Sequence, residues 1–153
     1  METAIYLKDQ ISILIADDDA EDRQLISDAF SEANLSAEIS FANDGVEAME
    51  FLRDKNNAYP SLILLDLNMP RKDGRETLKE IKSNAELRHI PVVVLTTSQD
   101  EVDIWQTYNL GANSFLMKPP KFTTLVDSFK GMSRYWFEIV ELPKRSQPTV
   151  VPL

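Results

Sequence analysis

Ser61-Leu-Ile-Leu-Leu-Asp66-Leu-Asn-Met-Pro70-Arg-Lys-Asp-Gly74 is the stretch on which the fold of this 153-residue chain turns. Four apolar residues, Leu62 to Leu65, run into an acid, and a turn holding Pro70 and Gly74 follows at once. An apolar run of that length between turn residues predicts a strand buried on both faces, as in a parallel sheet. A carboxylate in the middle of such a sheet would be heavily penalised by desolvation. At the carboxyl end of the strand, Asp66 is expected instead to face the crevice where open α/β sheets place their chemistry.

The same pattern extends in both directions. Upstream, Ile11-Ser-Ile-Leu-Ile-Ala16 predicts a first strand ending in Asp17-Asp18-Asp19. Helical spacing then runs from Ala20 to Asn34, with Leu25, Ala29 and Ala33 in a stripe and Ile26 and Phe30 beside it. Ala37 to Ala42 alternates, with Ile39 and Phe41 on one face, which predicts a strand nearer an edge. Asn43-Asp44-Gly45 turns into a helix whose inward stripe is Val46, Met49 and Leu52. Downstream, a helix from Gly74 to Ser83 points Leu78 and Ile81 inward, and Pro91-Val-Val-Val-Leu95 is a fourth strand ending at Thr96-Thr97-Ser98. Glu101 to Leu110 reads as a short helix packed through Val102, Trp105 and Tyr108 and closed by Gly111. Asn113 to Met117 is a fifth strand ending at Lys118-Pro119-Pro120. A final helix from Phe122 to Glu141 carries the stripe Leu125, Phe129, Met132, Trp136 and Ile139. Five strands alternating with five helices predict an α/β fold: a doubly wound parallel sheet, covered on both faces, in the order 2-1-3-4-5. Residues 1–10 form a leader, 11–141 the domain, and 142–153 a proline-containing tail.

The bulk numbers bound the function. The length suits one domain with a real core. A net charge of −9 argues against a nucleic-acid surface, which needs clustered Lys and Arg, and against an anionic membrane. Without cysteine there is no disulfide, thiolate nucleophile or thiolate metal site. The amino terminus has no signal-peptide pattern, and no apolar run is long enough to span a bilayer. The expectation is a cytoplasmic protein.

All strands of a parallel sheet end on one side, so Asp17 and Asp18, Asp66, Thr96 and Lys118 should converge on one rim. Alone, each would read as a solvated loop residue; together they define a site. Two carboxylates about 4–5 Å apart repel by roughly 3–4 kcal/mol at an effective dielectric near 20. Three call for a cation or a retained proton. The donors are all oxygens, which suits a hard ion such as Mg²⁺. Lys118 offers a second positive charge and Thr96 a hydroxyl donor to phosphoryl oxygens. Metal, lysine and hydroxyl around one acid are the parts of a phosphoryl-transfer site, with the carboxylate as nucleophile giving an aspartyl phosphate.

These residues resemble a known family. Asp17-Asp18, Leu64-Leu-Asp66-Leu-Asn-Met-Pro70 with Asp73-Gly74, Leu95-Thr96-Thr97 and Lys118-Pro119 are similar to the receiver domain of bacterial two-component response regulators, a flavodoxin-like fold, over roughly residues 11 to 140. The resemblance implies that Asp66 accepts a phosphoryl group from a histidine kinase with Mg²⁺ bound. It implies Asp18 and Asp66 as direct metal ligands, Asp17 holding the metal mainly through water, and the Asn68 backbone carbonyl as a further ligand. Thr96 and Lys118 would bind the phosphoryl oxygens, and the Lys118–Pro119 bond would be cis. A switch is implied too, in which Thr96 moves towards the phosphate and an aromatic, here Phe115, rotates behind it. Phe115 lacks a hydroxyl, so its inward state gains packing alone. Thr97 stands where many receivers have a smaller residue, which would narrow access to the phosphate and slow hydrolysis.

No effector domain is read after residue 141, so output is expected through protein contact, onward phosphotransfer or oligomerisation. Phe122, Val126 and Phe137 make a second apolar strip on the last helix, and a homodimer through the fourth helix, fifth strand and fifth helix is expected there. The downstream partner is not legible. Asp73 to Lys82, Ile90 to Ser98 and Tyr135 to Pro143 further resemble the small response regulators that partner phytochrome-class histidine kinases. Two rivals exist: a phosphate-independent docking module, and a haloacid-dehalogenase-like phosphatase built on Asp17-x-Asp19. The latter is disfavoured by Glu21 and by Pro119-Pro120-Lys121 in place of its acidic pair. A histidine phosphotransfer role is disfavoured because the one histidine, His89, falls in a turn and reads as a surface loop residue.

Overall fold

The computed structural model describes residues 11–143, so the expectations for the 1–10 leader and for the tail beyond Pro143 lie outside the described residues. Five strands, β1 (Ser12–Ala16), β2 (Glu38–Ala42), β3 (Leu62–Leu65), β4 (Val92–Thr96) and β5 (Ser114–Met117), form one sheet in the order β2-β1-β3-β4-β5. Every pairing is parallel, with Ile15 opposite Leu64, Leu64 opposite Val93 and Val94 opposite Phe115. The helices are α1 (Ala20–Glu32), α2 (Gly45–Arg53), α3 (Gly74–Ser83), α4 (Glu101–Asn109) and α5 (Phe122–Arg134).

The period of two along each central strand divides the core into two layers. Leu14, Ile63, Leu65, Val92 and Val94 meet Met49 and Leu52 of α2 and Leu78 and Ile81 of α3. Ile13, Ile15, Leu62, Leu64, Val93 and Leu95 meet Ile26, Ala29 and Phe30 of α1 and Leu125, Phe129 and Met132 of α5. Phe30 stacks on Phe129 at a centroid distance of 4.2 Å, fastening α1 to α5. Four of the five helices start the same way. Asp19, Asp44, Asp73 and Asp100 each sit in extended backbone and accept from first-turn N–H groups. These caps place every one of those helix starts at the rim that carries the candidate residues.

Several positions expected to face inward are corrected. The α4 stripe faces solvent: Val102, Trp105 and Tyr108 are exposed, Trp105 to 71%. The buried position of α4 is Thr107, whose hydroxyl is satisfied by the carbonyls of Asp103 and Ile104. Helical periodicity located a stripe but not its direction, and over β5, at the sheet edge, there is little surface for it to cover. Leu25 on α1 and Phe41 on the edge strand β2 are likewise exposed, and Val46 is half-buried.

The last helix also departs from its expected path. It remains α-helical to Arg134 and then widens into a π-helical turn, Tyr135–Ile139. A π turn has more residues per turn, so the stripe shifts round the axis. Phe137 turns into the core at 8% exposure, Trp136 is half-buried, and Ile139 points out.

Candidate phosphoryl-acceptor site

The ladders of the sheet run one residue past the strands and so fix the site. The Asp17 N–H bonds the Ala42 carbonyl, the Asp66 N–H bonds the Ala16 carbonyl, each at 3.0 Å, and the Lys118 N–H bonds the Thr96 carbonyl at 2.7 Å. Asp17 (2% exposed), Asp66 (7%) and the exposed Asp18 offer carboxylate oxygens all within 4.8 Å of one another. Hard oxygen donors gathered around an open side fit a divalent cation.

Lys118 reaches across this cluster. Its Nζ lies 2.7 Å from Asp17 Oδ2, 2.8 Å from Asp22 Oδ2 and 3.4 Å from Asp66 Oδ2. Burial works against the ammonium, but the three carboxylates outweigh it and hold Lys118 well above the ordinary lysine range. Burial likewise pushes the Asp17 carboxyl up, although Lys118 and the Asp19 N–H, 3.0 Å from Asp17 Oδ1, oppose it. The Asp17 carbonyl accepts from Arg23 Nη1 at 2.7 Å. Asp22 was not picked out in the sequence. Its only signal was an acid in the first turn of a helix that begins at the rim, and such an acid reads as ordinary helix-start chemistry.

Thr96 is fully buried, and its Oγ1 has no hydrogen-bond partner among the described residues. A buried orphan hydroxyl is rare enough to need an explanation, and a phosphoryl oxygen at this rim would supply one. Thr97, next in the chain, is exposed, and Phe115 is half-buried against the α2–α3 layer of the core. Asn68 lies exposed in the loop two residues past Asp66.

That loop is closely fitted. A Cβ on Gly74 would stand 2.1 Å from the Asp66 carbonyl oxygen and 2.7 Å from Leu67 Cα, so only glycine lets α3 start this close to the acceptor strand. The Gly74 N–H bonds the Leu67 carbonyl at 2.8 Å. Arg71 has φ 62°, and the Lys72 N–H bonds the Pro70 carbonyl at 2.7 Å, closing a γ-turn of the rare, strained kind. The Arg71 Nε ties this turn to the buried Asp44 at 2.6 Å, and that hydrogen bond holds the Asp44 carboxyl below its usual range.

Several expectations change. The Lys118–Pro119 bond is trans, since the described residues contain no cis bond. Trans is the lower-energy isomer of X-Pro, and Lys118 reaches the carboxylates from it. Val126 and Phe137 are core residues packed with Phe129, so of the three dimer candidates Phe122 alone is on the surface. Val126 is inward because the stripe of α5 is wide enough to take positions 125, 126 and 129 together. His89 is half-buried and packs edge-on to Tyr59 at 5.3 Å, which makes it more than a surface loop residue. Asp19 is turned away to cap α1, so Asp17-x-Asp19 cannot act as the paired acids of a dehalogenase-like phosphatase.

Known proteins agree with this geometry. The profile of the response regulator receiver domain matches residues 13–130. The response regulator Rcp1 of Synechocystis sp. is 42% identical over 135 residues, covering 86% of this chain and 92% of that protein. The crystal structure of the Mn²⁺-bound form of Rcp1 superposes with a TM-score of 0.80 at 40% identity, over 88% of this chain and 99% of that one. The phosphorylated cyanobacterial phytochrome response regulator RcpA gives a TM-score of 0.82 at 41% identity, over 89% and 100%. With the five-stranded order, the acidic rim and its lysine all in place, the chain belongs to the response regulator receiver domain family.

Proposed function

We propose that Asp66 accepts a phosphoryl group from a phosphohistidine of a sensor histidine kinase, of the phytochrome class, in the cytoplasm. The observation that carries this is a single one. Asp66 stands at the rim between two further carboxylates and the Lys118 ammonium, with the Thr96 hydroxyl, unpartnered among the described residues, at the end of the adjacent strand. In the transfer, an Asp66 carboxylate oxygen attacks phosphorus, the P–N bond breaks with its electron pair on the imidazole, and that nitrogen takes up a proton. Asp17, Asp18, Asp66 and the Asn68 carbonyl would hold Mg²⁺, which when bound neutralises phosphoryl charge. Lys118 and Thr96 orient the phosphoryl oxygens, and Phe115 fills the space Thr96 leaves. On this reading the chain catalyses its own phosphorylation and dephosphorylation and does not turn over a separate substrate. Similarity to Rcp1 and RcpA supports the kinase class. The test is incubation with a small phosphodonor and Mg²⁺ followed by intact mass. One phosphate per chain is expected in wild type and none in Asp66→Asn; incorporation into Asp66→Asn would place the acceptor elsewhere.

The homodimer is carried over to a corrected surface. Val102, Trp105 and Tyr108 of α4, Met117 of β5 and Phe122 of α5 are all exposed apolar positions on the α4–β5–α5 side. The exposed Glu101 in the first turn of α4 complements Lys121 at the start of α5 and Lys130 and Arg134 along it, as a two-fold contact between copies requires. Trp105→Asp is expected to be monomeric by sedimentation at micromolar concentration while still accepting phosphate. A wild type that is monomeric with and without phosphorylation would remove the dimer and leave contact with a downstream protein as the output. Phosphate-independent docking would instead show as unchanged partner capture by Asp66→Asn.

A further inference from the structure

We propose that Asp22 is a positioning residue for this reaction: its carboxylate draws the Lys118 ammonium away from Asp66, and so sets how tightly and how long the site holds a phosphoryl group. The inference rests on Asp66 being the acceptor. A lysine ammonium has three N–H donors, and here all three are directed at carboxylates. The two short bonds, 2.7 and 2.8 Å, go to Asp17 and Asp22, whereas the 3.4 Å approach to Asp66 exceeds ordinary hydrogen-bond length. The N–H that faces Asp66 is the one left to meet phosphoryl oxygens there, and the two short bonds hold the ammonium back from closing on them.

The two holders are not equivalent. Asp17 is buried, and its other oxygen is engaged by the Asp19 N–H, so its position is fixed. The Asp22 side chain is 34% exposed, so water can take over its oxygen when Lys118 leaves. The exchange therefore runs from Asp22 to the phosphoryl group, and Asp22 competes with the phosphoryl group for the same cation. Asp22 stands on α1, whereas Asp66 and Thr96 stand at the ends of β3 and β4.

The experiment measures beryllofluoride affinity by calorimetry in the presence of Mg²⁺, and acyl-phosphate lifetime by intact mass, for four proteins. Against wild type, Asp22→Asn is expected to bind beryllofluoride about three- to tenfold more tightly and to keep its phosphate longer by a similar factor. Asp22→Glu should restore wild-type behaviour. Glu21→Gln removes the same charge from the same helical turn without touching Lys118, and should leave both readings near wild type. A loosened fold would weaken analogue binding, so a gain cannot come from structural damage. Unchanged or weaker binding by Asp22→Asn, or an equal gain in Glu21→Gln, would overturn the proposal. If wild type and Asp66→Asn take up phosphate alike, the acceptor reading fails and this inference with it. If they differ as expected and Asp22→Asn matches wild type, only this inference fails.

Discussion

Two half-buried lysines mark opposite ends of the sheet and face opposite electrostatics. Lys118 follows β5 at the carboxyl rim and is surrounded by Asp17, Asp22 and Asp66. Lys82 closes α3 near the amino ends of β4 and β5, where its Nζ donates to the carbonyls of Arg88 (3.1 Å) and Ile90 (2.7 Å) and to Asn113 Oδ1 (3.3 Å). No carboxylate bond is found for it among the described residues. Burial pushes Lys82 down to about 8, while Lys118 is held up. Neutral dipoles tie loops together without a charge to exchange. A cation among carboxylates can change partners at low cost, and that is what a phosphoryl site requires. The chemistry of this fold therefore lies in the charge of the partners, since burial is much the same at both ends.

Substitution of either lysine tests this contrast, and the largest effect is expected at the rim. Lys118→Met should slow phosphoryl acceptance by about 10²–10³, as loss of one preorganised cationic donor does. Because Lys118 titrates above the ordinary lysine range, its contribution to stability is complete below that range and fades only at higher pH. The stability difference from wild type should therefore stay flat between pH 7 and about 9 in thermal melts.

Gly74→Ala should come next. Its Cβ meets the Asp66 and Leu67 backbone, which has no flexible side chain to give way. A cost of about 3 kcal/mol, or roughly 6–12 °C in Tm, is expected together with slowed acceptance at Asp66. At the other end, Gly111 faces only the stem of Lys82, at 2.9 Å from Cγ, though its φ of 110° favours glycine there too.

Lys82→Met sharpens the contrast. A folded value near 8 lies below that of the unfolded chain, so the unfolded state binds more protons in between and stability rises as pH climbs from about 8 towards 10.5. Allowing for partial exposure, this slope amounts to about 1 kcal/mol, or 2–4 °C in Tm. Lys82→Met should lose it, with phosphoryl acceptance unchanged. Identical pH slopes in the two proteins would show that the three oxygens solvate the ammonium fully. The smallest effect is expected for Thr97→Ala, which should shorten the acyl-phosphate lifetime by about two- to fivefold, at most about 1 kcal/mol. Equal lifetimes would mean that the exposed Thr97 does not shield the phosphate.

The rim was legible because a parallel sheet leaves little choice. Apolar runs that end in Asp17, Asp66, Thr96 and Lys118 must deliver those residues to one side. Asp22 and Asp44 were less visible, since helix-start acids ordinarily satisfy backbone N–H groups. Here Asp44 does that and also holds Arg71, while Asp22 leaves the N–H groups to Asp19 and holds Lys118. Side-chain choices of this kind depend on which distant cation arrives, across 27 residues for Arg71 and 96 for Lys118. The outward stripe of α4 and the π-helical turn were hidden for a different reason. Periodicity records which residues share a face, and it does not record what the face meets.

Sequence alone determined the alternation of strands and helices, the strand order and the strand-end groups at the rim, because apolar runs and their polar ends are local chemistry. Tertiary structure alone decided how those groups divide their partners. It put Lys118 on Asp17 and Asp22 ahead of Asp66, left the Thr96 hydroxyl without a partner among the described residues, and turned Trp105 out and Phe137 in. Such choices are settled by distances of a few tenths of an ångström between residues far apart in the chain, and no local pattern encodes those distances.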